Sequence, residues 1–234
     1  MPAERESIVI ATRDGAMPAF VASPGGREPR AAVIVVQEAF GLNEHIKDVA
    51  ARIADEGYVT LAPDMYYRGG PARTAEYADL KTAIDMMSAL SDDGIVSDVQ
   101  AAIEWLRAQP NVRRDCVAIT GFCMGGRISY LAACALPGAF RAAVPFYGGG
   151  IPIERTATLG CPVLAFFGDQ DPFIPMEQVR ALEAEAKRQG KPVEVVVYPD
   201  APHGFFCNER DSYRAGPAAD AWQRLVGFLA QYLG

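Results

Sequence analysis

Histidine is nearly absent from this chain: its 234 residues contain only two, His45 and His203. Any imidazole chemistry must use one of those positions, and a histidine-built metal centre has too few ligands. Cysteine is scarce as well, and its five copies form no Cys-x-x-Cys pair. An odd count without paired spacing argues against a disulfide framework, and no His/Cys/Asp spacing resembles a zinc site. No metal is expected. Positive charge is the minority sign, with 22 Lys and Arg against 29 Asp and Glu and a net charge of −7. That balance disfavours nucleic acid and anionic membrane as partners. No apolar run approaches the roughly 20 residues that span a bilayer. The opening Met1-Pro-Ala-Glu-Arg-Glu6 lacks the apolar core of a secretion signal, so the expected location is the cytoplasm. Linkers, repeats and low-complexity segments are also missing. Residues 1–234 therefore read as one domain with ample length for a core, expected as a monomer or weak dimer.

What is present is an alternation of short apolar runs and helical patterns. Ser7–Thr12 and Met17–Ala22 read as two strands joined at Arg13-Asp-Gly15, a hairpin signal. Ala31–Glu38, Tyr58–Pro63, Cys116–Phe122, Ala142–Tyr147, Pro162–Gly168 and Val193–Tyr198 are short, apolar and rich in valine. Uninterrupted runs of this kind suit central strands covered on both faces. Helical patterns fall between them at 45–56, 74–90, 95–108, 126–136, 176–189 and 217–232. The expected class is α/β, with a mostly parallel central sheet, helices on both faces and an N-terminal antiparallel hairpin. Glu38, Asp64, Cys123, Tyr147, Asp169, Asp171 and His203 all fall at or just past the carboxyl end of a strand. Ligands of open α/β sheets bind at that edge.

The strand-like Cys116–Thr120 runs into Gly121-Phe-Cys-Met-Gly125 and then into a helical pattern. Strand, Gly-x-nucleophile-x-Gly and helix is the layout of a nucleophile elbow, the signature of α/β-hydrolases, here with cysteine where serine is usual. The positive end of the following helix favours the thiolate of Cys123. His203 lies in the loop after the last strand, and Phe167-Gly-Asp-Gln-Asp-Pro-Phe173 offers two acids after the strand before it. The order nucleophile, acid, histidine fits this fold, with 48 residues from Cys123 to Asp171 and 32 from Asp171 to His203. Cys123 is assigned as nucleophile, His203 as general base and then acid, and Asp171 as the carboxylate that orients it. Asp169 reads as a turn former, and His45 as a residue in the first turn of the first long helix. Glu38 closes a buried strand, where a carboxylate is costly unless paired. The loop after it occupies the place where this fold supplies an oxyanion amide, so the N–H groups of Ala39 and Met124 form the expected pair.

Several segments together resemble the dienelactone hydrolases (carboxymethylenebutenolidases). They are Val36-Gln-Glu-Ala-Phe-Gly-Leu-Asn43, Glu56–Tyr66, Gly121-Phe-Cys-Met-Gly-Gly126 and Pro202-His-Gly-Phe205. The resemblance covers nearly the whole chain. It implies a hydrolase of lactones or small esters that needs no cofactor, with a Cys-Asp-His triad at Cys123, Asp171 and His203. It also implies that Glu38 rests against an arginine and takes the Cys123 proton when substrate arrives, which shields the thiol from oxidation. The family's best-known members hold a substrate carboxylate with two arginines. At one of those positions this chain has Cys207. Arg210 and Tyr213 are the nearby substitutes, Arg68 and Arg73 lie near the place of the other arginine, with Arg73 taken as the candidate, and Tyr147 is expected to line the pocket. Two other classes share the same residues: a ligand receptor without catalysis, and a redox-sensing protein linking Cys123 to Cys207.

Overall fold

The computed structural model describes residues 3–26, 28–70 and 73–234. Two antiparallel strands, β1 (Glu4–Thr12) and β2 (Gly15–Ser23), open the chain. Thr12 pairs with Gly15 across a two-residue turn, and Gly15 takes a φ of 136°. Six further strands follow: β3 (Arg30–Val36), β4 (Val59–Pro63), β5 (Val112–Phe122), β6 (Ala142–Phe146), β7 (Val163–Gly168) and β8 (Val193–Tyr198). They form one sheet in the order β1-β2-β4-β3-β5-β6-β7-β8. The β2–β4 contact is antiparallel, and every pair from β4 through β8 is parallel. This is the α/β-hydrolase fold, with the hairpin at one edge.

The helices are α1 (Glu44–Asp55), α2 (Leu80–Ser88), α3 (Asp92–Ala108), α4 (Met124–Ala135), α5 (Met176–Arg188) and α6 (Ala215–Leu233). β4, β6 and β7 are buried along their whole length, which requires cover on both faces. α3 and α4 pack together against the sheet. α1 and α6 are joined by the Arg52 guanidinium, 4.1 Å over the Trp222 ring.

The expected helix at 74–90 is shorter than its pattern. Asp79 accepts the Thr82 N–H at 3.0 Å and caps α2, so residues 74–79 stay outside it. α3 begins earlier than expected because Ser91 caps it through the Gly94 N–H. α4 starts at Met124, directly after the elbow.

A ladder of phenylalanines underlies the carboxyl edge. Phe122, Phe146 and Phe166 are paired across β5, β6 and β7, with ring centroids 4.6 Å apart at each step. Phe206 stacks on Phe122 at 5.2 Å. All four are buried. Phe122 immediately precedes Cys123, and Phe146 immediately precedes Tyr147, so this packed layer fixes where the functional loops begin.

Candidate active site

Cys123 sits between β5 and α4 with φ 55° and ψ −115°, a conformation a non-glycine residue adopts only under constraint. Its N–H donates to Phe146 O at 3.0 Å, which ties the elbow to β6. The flanking glycines are steric requirements. A Cβ on Gly121 would lie 2.3 Å from Gly125 O, and one on Gly125 would lie 2.3 Å from Val36 O. Only bare backbone lets β3, β5 and α4 approach this closely.

His203 Nδ1 and Asp171 Oδ2 are 2.7 Å apart, and both residues are buried. The other Asp171 oxygen accepts the N–H groups of Phe173 and Ile174 at 2.8 and 3.2 Å, so the carboxylate cannot rotate freely. Burial disfavours a charged His203, but hydrogen bonding to Asp171 and Cys123, with their charges, outweighs it and pushes the pKa up to about 10. The ring is therefore set to carry a proton near neutral pH. Asp169 turns the other way and accepts the Asp200 N–H at 2.8 Å, bracing the loops after β7 and β8.

Glu38 is fully buried. Burial raises its pKa, against the pull of the Arg210 and His203 charges and the Tyr147 hydroxyl, which donates at 3.4 Å. Ala39 and Met124 both line a cavity of about 530 Å³ that also exposes Cys123 and His203. Met124 opens α4, where a backbone N–H has no intrahelical acceptor. Tyr66, absent from the expected site, donates its hydroxyl to Ala39 O at 2.9 Å and lies 3.3 Å from Met124 Sδ. It joins the loop after β3 to the first residue of α4.

Of the residues expected at the substrate, Arg210 lines this cavity and three do not. Tyr147 is fully buried beneath the site, bonded to Glu38 and edge-on to His203 at 5.1 Å. Tyr213 borders a separate hollow beside Trp222, because successive turns at Cys207–Arg210 and Arg210–Tyr213 carry it past the cleft. Arg73 lines a different hollow, beside Arg68 and Met86. Its backbone lies against Gly41, where a Cβ would fall 2.4 Å from Arg73 O, and its guanidinium donates to Gly69 O.

His45 lies outside the cavity, edge-on to the stacked pair Phe122 and Phe206, with both ring centroids 6.4 Å away. Cys207 is buried and donates to Tyr77 Oη at 3.3 Å. Among the described residues, no group of three or more His, Cys, Asp or Glu side chains could hold a metal ion.

The model of the dienelactone hydrolase family matches residues 17–233. This chain belongs to the dienelactone hydrolase family. A Methylorubrum extorquens protein named "Putative carboxymethylenebutenolidase" is 37% identical over 235 residues, covering 96% of this chain and 80% of that one. A protein of the same name from Synechocystis is 38% identical over 218 residues, 88% of each chain. Among solved structures, a "Putative Dienelactone Hydrolase" from Klebsiella pneumoniae superposes with a TM-score of 0.91 at 33% identity. That match covers 99% of this chain and all of the other.

Proposed function

We propose that this dienelactone hydrolase family member cleaves a lactone or small carboxylic ester through Cys123 and a thioester acyl-enzyme. One observation carries the reading. The strained elbow presents Cys123 to the same cavity as His203, whose far nitrogen is held at 2.7 Å by Asp171. Membership of a hydrolase family supports the reaction class.

The proton inventory follows from the site's electrostatics. Burial makes the Glu38 carboxylate a stronger base than one in water, and an entering substrate lets it take the thiol proton. The Cys123 thiolate attacks the carbonyl carbon, and the displaced electron pair moves to oxygen facing the Ala39 and Met124 N–H groups. Collapse breaks the carbon–oxygen bond of the ester, and the His203 imidazolium protonates the departing alkoxide. In a lactone that alkoxide stays tethered to the acyl group. His203, now neutral, removes a proton from water as the water attacks the thioester. Collapse of the second intermediate expels the thiolate, which regains its proton from Glu38. The acid leaves as a carboxylate and a proton. The raised pKa of His203 favours a proton on the ring at the start, so in this mechanism the ring serves as acid first and base second, where the order drawn from sequence is base and then acid.

A reaction of this kind needs a reduced sulfur. All five cysteines are free, which suits a protein working in the reducing cytoplasm. Among the described residues no helix is long and apolar enough to cross a membrane. The deciding experiment is Cys123→Ala against a panel of lactones and aryl esters, with intact-mass analysis of the wild type on a slow ester. Turnover should vanish in the variant, and an acyl adduct should appear on Cys123 of the wild type. Retained turnover in the variant removes the assignment.

A further inference from the structure

Six large hydrophobic side chains are exposed among the described residues, and four of them surround the catalytic cavity. Leu80, Ile84 and Met87 are 45%, 45% and 37% exposed, and Phe173 is 60% exposed. The first three sit at i, i+4 and i+7 of α2, one face of a helix. That face does not anchor α2, whose buried residues are Ala83 and Met86. Phe173 stands at the catalytic end, its ring 5.3 Å from His203. Leaving such surface in water is unfavourable, and an apolar ligand that covers it recovers the lost burial.

The charged groups of the cavity point the same way. Arg127 is engaged by both oxygens of Asp92, at 2.9 and 3.2 Å, and by Gly150 O. Arg210 faces the Glu38 carboxyl at 3.6 Å. Each arginine already faces an acid, so a substrate carboxylate would have to compete for either.

We propose that the substrate is an uncharged ester or lactone bearing an apolar arm that lies along Leu80, Ile84 and Met87. Seven residues of helix span about 10 Å, room for an alkyl arm of roughly eight carbons. This inference rests on the hydrolytic reading of Cys123 and His203 and deepens it by naming the substrate class.

The test is hydrolysis of 4-nitrophenyl acetate, butanoate, hexanoate and octanoate, beside an eight-carbon ester that ends in a free carboxylate. kcat/KM should rise roughly two- to fourfold per added methylene. The carboxylate-terminated ester should fall at least about tenfold below the octanoate, since a charge on that wall loses its water. Ile84→Asn should lower the octanoate-to-acetate ratio about tenfold. Lys81→Ala, on the same helix with its side chain 85% exposed, should leave the ratio as it is. A flat series, a preference for the carboxylate, or an unchanged ratio in Ile84→Asn overturns the proposal. If no ester is hydrolysed, the reading of Cys123 falls, and calorimetric titration with 2-decanone and 2-butanone decides on the apolar wall alone. Tighter binding of the longer ketone, lost in Ile84→Asn, upholds the wall. Equal binding of the two ketones, or a preference unaltered in the variant, overturns it.

Discussion

Arg210 Nη1 lies 3.6 Å from Glu38 Oε1, near enough to share charge and too far to donate a hydrogen bond. Neither Arg210 Nη1 nor Glu38 Oε2 has a hydrogen-bond partner among the described residues. The Arg210 guanidinium is instead spread over the rings of Phe40 and Tyr77, at 5.2 and 5.6 Å. A buried carboxylate usually survives by making every bond available to it. This one is held mainly by field and by the Tyr147 hydroxyl, an arrangement that suits a group meant to change partners.

Glu38→Gln keeps the side chain's shape and removes its basicity. The expected outcome is a fall in kcat of roughly 10²- to 10³-fold with little change in KM, measured on a lactone by steady-state kinetics. Wild-type kcat in this variant would make Glu38 a structural residue.

Asp171→Asn tests the orienting carboxylate. The asparagine carbonyl can still accept the N–H groups of Phe173 and Ile174, which keeps the loop in place, but the buried His203 loses its counter-charge, so the melting temperature should fall by several degrees. The amide nitrogen would then face His203 Nδ1 as a donor and force the wrong tautomer. kcat should drop by up to about 10⁴-fold, as orienting acids of such triads do when made neutral. An unaffected rate would show that His203 does not depend on this acid.

The sheet was legible in the sequence because central strands have no solvent face, so the valine runs of β3 through β7 stand out unbroken. The elbow was legible because Gly121 and Gly125 stand where a Cβ would strike backbone, a constraint written directly into residue type. The order Cys123, Asp171, His203 brings those residues to one edge because parallel strands deliver their ends to the same side. Side-chain direction past a turn is not written that way. Tyr213 and Arg73 follow short turns and backbone contacts that their own identities do not encode. Tyr66 acts through a hydroxyl reaching Ala39 O, 27 residues earlier in the chain, and nothing local marks that contact. The α2 face misleads for another reason: i, i+4, i+7 spacing of Leu80, Ile84 and Met87 looks like core packing, yet the helix turns that face to the cavity.

Tyr66→Phe isolates the tether between the loop after β3 and the start of α4, the proposed oxyanion donors. Ala39 O loses its donor, and the Ala39 amide is free to drift from the line of the developing oxyanion. Tyr66 is a positioning residue, so kcat should fall about tenfold while KM holds, less than removal of an oxyanion donor itself. A matched loss in kcat and stability, or a change in KM alone, would assign the hydroxyl to folding.

His45 links the fold to pH. Neither ring nitrogen has a partner at hydrogen-bonding geometry among the described residues, and burial lowers its pKa to about 4 against the field of Asp48 and the nearby Asn208 side chain. The unfolded chain protonates this histidine near pH 6.5, so between the two values the unfolded state holds more protons. Stability from the neutral ring is present above about pH 6.5 and is lost as pH falls toward 4. At pH 5 the loss is about 2 kcal/mol by linkage. Denaturant melts of the wild type and of His45→Leu at pH 7.5 and pH 5 measure it directly. The drop between the two pH values should be smaller in the variant by about that amount. Equal drops would mean that the ring finds a partner for its proton inside the fold.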